Sequence, residues 1–273
     1  MDLRKRRERM QAWIEILLRF RWLAIPFSGL IVFLLGNGPT SIERILLDAA
    51  QINADALSTL LVQFPTYLMW SLPGYAFPVI LLFLLRWRFG TLLGAFHFLL
   101  SAVGIWIFVA LLAGNPNVYP ALVGAMFMIA VTGFMFGKAT WLITLPVLVF
   151  ALLAQLSVHS AHLPSWDWFL FFGLLHTDWM TLQRITQRRL KSGHVKKGAV
   201  IWAIKGTLVP ALGSAVILSL LGVTSLWITN WKPWGVDSMG ILIHSATYLL
   251  LSQVFLPTAF TILPLGRAMK QQK

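Results

Sequence analysis

The stretch YPALVGAMFMIAVTGFMF, from Tyr119 to Phe136, is followed after Gly137-Lys138-Ala139 by TWLITLPVLVFALLAQLSV, from Thr140 to Val158. Two apolar runs of this length, separated by a single lysine, form the pattern of a membrane hairpin. About 20 mostly apolar helical residues are needed to cross roughly 30 Å of hydrocarbon. Working outward in both directions, the same reading finds six more candidate spans: Trp22 to Leu35, Tyr67 to Leu85, Thr91 to Ala113, Trp166 to Gln183, Gly206 to Val223 and Gly240 to Leu263. The expected fold is therefore all-α, a polytopic transmembrane helix bundle of about eight spans. The first span is the shortest and carries Pro26; Arg19 and Arg21 can snorkel to the headgroups and lengthen it.

Composition supports this class. Of 273 residues 58% are hydrophobic and only 11% charged, and the mean hydropathy is +0.76, outside the range of soluble globular domains. The charges test the topology independently. With the N-terminus inside, 20 of the 22 Lys and Arg fall on the cytoplasmic side, leaving only Arg44 and Lys232 outside. That satisfies the positive-inside rule at every cytoplasmic connection, with both termini cytoplasmic, and suggests a bacterial inner (plasma) membrane. The expected organisation is a basic cytoplasmic arm over residues 1–21, a bundle over 22–265 with an outer amphipathic segment at 36–66, and a basic cytoplasmic tail at 266–273. Several Trp residues at segment ends, among them Trp22, Trp87, Trp166 and Trp231, fit an aromatic belt at the headgroups.

The absence of cysteine rules out disulfides, thiolate metal sites and cysteine nucleophiles. There is no phosphate-binding loop, no His-Glu-x-x-His signature and no nucleophile elbow, so no catalytic residue is named. What remains is the set of polar groups in apolar surroundings, which are costly there and are functional candidates by default. These are His97, His176, Asp178, Lys205 and His244.

His176 and Asp178 lie about 200° apart on a helix and face opposite ways, so they do not form a joint site. Asp178 is expected in a structural ion pair with Lys138 or Lys205, with an ion-coupling carboxylate as the alternative. His176 shares a stripe with Phe172, Trp179 and Gln183, a mixed aromatic and polar face suited to a helix contact, where a hydrogen-bonded packing histidine is expected. His97 and His244 fall at different depths, which argues against joint haem ligation, although haem or quinone contact stays open. His159 and His162, at i and i+3, offer two weak metal ligands without a third.

Gly90-x-x-x-Gly94 and Gly133-x-x-x-Gly137 permit close backbone approach within the chain. Pro73, Pro78, Pro146, Pro210 and Pro257 kink their spans. Arg184, Arg188, Arg189, Lys191, Lys196 and Lys197 form a basic cytoplasmic loop that sets topology and contacts anionic lipid, or docks an acidic protein partner. Nucleic acid is a poor candidate partner because no folded cytosolic domain supplies specificity.

The first functional expectation is a non-enzymatic subunit of a larger envelope assembly of the secretion, transport or conjugation type, bound to other membrane or cytosolic proteins. The second is a self-contained transporter of an ion or small molecule. The nine residues from Leu17 to Ile25, LLRFRWLAI, resemble the first span of some multi-span histidine kinases, which implies a membrane sensor region. A membrane-embedded enzyme is the fourth reading, centred on His176 or on His159 and His162.

Overall fold

A computed structural model describes residues 3–35, 54–88, 118–159, 167–227 and 238–265, and those residues are helical almost throughout, with no strand among them. Helix α1 (Leu3–Arg19) meets α2 (Arg21–Leu35) at a bend of 86°. Arg21 Nη1 donates to the Leu18 carbonyl at 3.3 Å, so a cation caps the last turn of α1 where the helix dipole is negative. Helix α3 (Ala54–Ser71) continues through a π-helical turn (Leu72–Ala76) into α4 (Phe77–Arg88). Pro73 lies in that turn; it has no N–H to donate, and the wider π turn carries the chain past the missing bond.

Helices α5 (Val118–Phe136) and α6 (Lys138–His159) form the expected hairpin about Gly137, whose φ is +82°. Gly133 packs against the Trp141 indole of α6, so the first glycine of that pair makes a helix contact while the second makes the turn. Helices α7 (Asp167–Lys191) and α8 (Lys196–Trp227) follow, then α9 (Ser238–Leu249), a second π turn (Leu250–Phe255) and α10 (Leu256–Ile262).

The bundle is organised around α7. It packs against α4, α5, α6, α8 and α9 and against both π turns. Every residue from 170 to 183 is buried, and its aromatic side chains join the core: Phe136 of α5 meets Trp179 edge-on at 6.2 Å between centroids.

Three helices are long and apolar enough to cross a membrane, Leu61–Leu84, Lys196–Leu220 and Gly240–Ile262, or four if the bent pair Gln11–Arg19 and Arg21–Leu35 counts as one span. This is the composition of a membrane protein, but the expected count of about eight spans is not reached among the described residues. The reasons differ by segment. The expected span at 166–183 is the buried helix α7, whose polar residues need no lipid-compatible surface because its neighbours enclose it. Within α5 and α6, the fully described apolar stretches Ala121–Phe136 and Trp141–Gln155 are each shorter than 18 residues. Thr91 to Ala113 lies outside the described residues.

Apolar helix begins at Leu61, so the end of the 36–66 segment belongs to the α3 span; residues 36–53 lie outside the described residues. The basic connection between Arg184 and Lys205 is not an extended loop. It is the end of α7 and the start of α8 around a short turn, where Gly193 has φ +85°, Gly193 N–H bonds Leu190 O and His194 N–H bonds Arg189 O. That pair of bonds is the glycine helix stop, which needs a left-handed residue at this position.

Candidate functional site

Polar side chains leave α7 in two directions. On one face, Asp178 Oδ2 accepts a hydrogen bond from the Tyr248 hydroxyl of α9 at 2.5 Å, and both residues are fully buried. Of the two lysines expected to pair with it, Lys205 donates to Gln11 Oε1 of α1 at 3.1 Å. Lys205 lies at the end of the third turn of α8, where the charge reaches α1. The side chain of Lys138 lies outside the described residues.

On the opposite face, His176 Nδ1 and the Tyr75 hydroxyl share a hydrogen bond at 3.3 Å, with the two rings edge-on at 6.1 Å. Tyr75 is carried into the core by the first π turn. A Cβ at Gly124 of α5 would sit 2.7 Å from Tyr75 Cβ, so only glycine there lets α5 approach this closely. His176 Nε2 has no hydrogen-bond partner among the described residues.

The same holds for Trp179 Nε1, Gln183 Nε2 and Thr186 Oγ1. Residues 176, 179, 183 and 186 follow one another at three- and four-residue intervals, the spacing that keeps side chains on one helical face. They form a line of four unmet polar atoms about 15 Å long at 1.5 Å per residue. All four residues are at most 1% exposed. The line is flanked by partnered groups: the Thr144 hydroxyl of α6 donates to Gln183 Oε1 at 3.1 Å, and Gln187 Nε2 donates to the Phe136 carbonyl of α5 at 3.0 Å. Buried polar atoms are nearly always satisfied, and four exceptions on one face of one helix call for a common explanation such as ordered water or solute.

A second, smaller cluster joins α6 and α9. Gln155 Nε2 and His244 Nδ1 are 2.7 Å apart, and His244 stacks at 5.0 Å on Phe171 of α7. His97 and His162 lie outside the described residues, as does the side chain of His159, so the metal and haem readings built on them have no described geometry. No group of three or more His, Asp or Glu residues is arranged to hold a metal ion among the described residues.

The basic residues separate into different environments. Lys196 Nζ donates to the Leu263 carbonyl at 3.1 Å, capping the end of α10. Arg184 is half-buried, Lys191 and Lys197 are exposed, and Arg188 and Arg189 turn toward α8. Tyr75, Tyr248, Thr144, Gln155 and Thr186 were not among the sequence candidates. Tyr75 and Tyr248 are two of only 4 tyrosines, both inside apolar segments, and that position was the available signal. Comparison with protein-family models, curated proteins and solved structures gives no match, and the functional reading rests on the geometry alone.

Proposed function

We propose that the chain is a membrane transporter in which the polar face of α7 lines a path for protons or a small hydrogen-bonding solute. The observation that carries this reading is the continuous unmet line of His176, Trp179, Gln183 and Thr186 along one face of the most enclosed helix. Polar groups at membrane depth mark solute and proton pathways because nothing else offsets their desolvation. The first π turn, which carries Tyr75 to His176, supports it, since such turns accompany functional sites. The charge asymmetry of the sequence favours about eight crossings, cytoplasmic termini and a bacterial inner membrane.

Proteoliposomes with an entrapped pH dye provide the test. Proton flux, or solute-coupled proton flux from a panel of small polar solutes, is expected in the wild type. It should fall at least tenfold in Gln183→Leu and His176→Phe. Flux that is absent in the wild type, or unchanged in both variants, refutes the transporter.

The assembly-subunit reading is the second, favoured by α1. This helix bends away from α2 and exposes Trp13, Ile16 and Phe20 at helical spacing, a face suited to a membrane surface or a protein partner. Stoichiometric proteins that remain bound on mild-detergent purification support it; a single species does not.

A further inference from the structure

The cytoplasmic ends of α7 and α8 enclose a cleft of about 380 Å³ lined by Ile185, Arg188, Arg189, Trp202, Lys205 and Gly206. Its chemistry is unusual for the surface of so apolar a chain. Two cations converge on one indole: the Arg189 guanidinium lies 4.1 Å from the Trp202 ring centroid and Lys205 Nζ lies 5.6 Å from it. Neither Arg189 nor Lys205 pairs with a carboxylate among the described residues. Lys205 donates to Gln11 Oε1 and Gln11 donates to Glu15, so α1 holds the ammonium in place beside the cleft. A Cβ at Gly206 would lie 2.6 Å from Ile185 Cδ1, so this glycine lets the two helices close beneath the charges.

Below the cleft α8 turns apolar on its exposed side. Trp202, Val209, Val216, Leu220 and Val223 are all exposed and follow at helical spacing. From Trp202 to Val223 this stripe runs about 32 Å at 1.5 Å per residue, close to the thickness of the hydrocarbon. A cationic cleft with an indole at its rim, continuous with a lipid-length apolar stripe, matches an amphiphile in two parts. Guanidinium and ammonium groups read a phosphate, tryptophan sits at the headgroup boundary, and the stripe accepts acyl chains.

We infer that this cleft binds the phosphate headgroup of an anionic phospholipid of the cytoplasmic leaflet, with its acyl chains along the Val209 and Val216 side of α8. The assignment is narrower than general attraction to a basic surface. It selects Arg188, Arg189 and Lys205 and excludes Lys191, Lys196 and Lys197, although all six are cations of the same region. It is independent of the transport reading, since the cleft and the α7 line use different residues.

The test is lipid retention by the purified full chain, read by native mass spectrometry after exchange into detergent with phosphatidylglycerol or phosphatidylcholine. The wild type is expected to retain phosphatidylglycerol at least tenfold better than phosphatidylcholine. Arg189→Gln with Lys205→Gln should lose that preference, whereas Lys191→Gln with Lys197→Gln, which removes the same charge outside the cleft, should change it less than twofold. Arg189→Lys retains charge without the planar fork and should give an intermediate loss, a readout that survives if the double variant does not fold. Equal losses in the two charge-matched variants would show diffuse attraction and overturn the site. Displacement of phosphatidylglycerol by millimolar inorganic phosphate, with no benefit from acyl chains, would assign the cleft to a soluble anion and overturn the lipid.

Discussion

The two faces of α7 hold their buried polar groups in different ways. Toward α9, Asp178 is held by the Tyr248 hydroxyl at 2.5 Å. Toward α4, α5 and α6, His176, Trp179, Gln183 and Thr186 each keep a buried atom that no described group meets. A partnered buried acid contributes to holding two helices together, whereas a line of unmet atoms contributes little and stays available to water or solute. On the proposed reading, one helix thus has a structural face and a permeable one. Burial alone, which is nearly complete on both, does not distinguish them.

Stability measurements in detergent can break this comparison. The largest effect is expected on the partnered face: Asp178→Ala removes a buried side chain and strands the Tyr248 hydroxyl, and should destabilise by about 3 kcal/mol. Tyr248→Phe removes only the hydroxyl donor to a buried carboxyl group, with an expected loss of about 2 kcal/mol. On the other face, Tyr75→Phe combined with His176→Phe replaces both partners of the 3.3 Å bond and eliminates the unmet Nε2. That double variant should cost less than about 1 kcal/mol, because exchanging both members of a polar pair for apolar groups is nearly neutral. Reversible unfolding in mixed micelles checks the series. A double variant as damaging as Asp178→Ala would mean that the two faces do the same structural work.

The membrane class and several helices were legible in the apolar runs. The last expected span, Gly240 to Leu263, differs from the observed Gly240–Ile262 by one residue, because its pattern contains no competing signal. Helix α7 was legible as a helix, but its complete enclosure by neighbours was not. Hydropathy assigns a residue a preference without knowing which neighbours enclose it, and α7 is enclosed from 170 to 183.

The opposite directions of His176 and Asp178 followed from helical geometry, and the stripe through Trp179 and Gln183 was visible as a pattern. The Tyr248 contact to Asp178 was not, because it depends on the tertiary packing of α9. Prolines signalled irregular spans at Pro73 and Pro257, yet a missing N–H predicts a break in the ladder without specifying a π turn. The division of the basic residues between the cleft and the helix caps depends on how α7 and α8 meet, which no local pattern encodes.

The central claim is that the polar face of α7 is hydrated, and the chain suits a direct measurement because it contains no cysteine. Single cysteines at Gln183 and Thr186, compared with Leu174 and Thr181 on the far side of the same helix, report access of a small hydrophilic thiol reagent in native membranes. All four positions are buried. The account predicts rapid labelling at 183 and 186 and none at 174 and 181. No labelling at any of the four, or equal labelling at all of them, would contradict a path along this face.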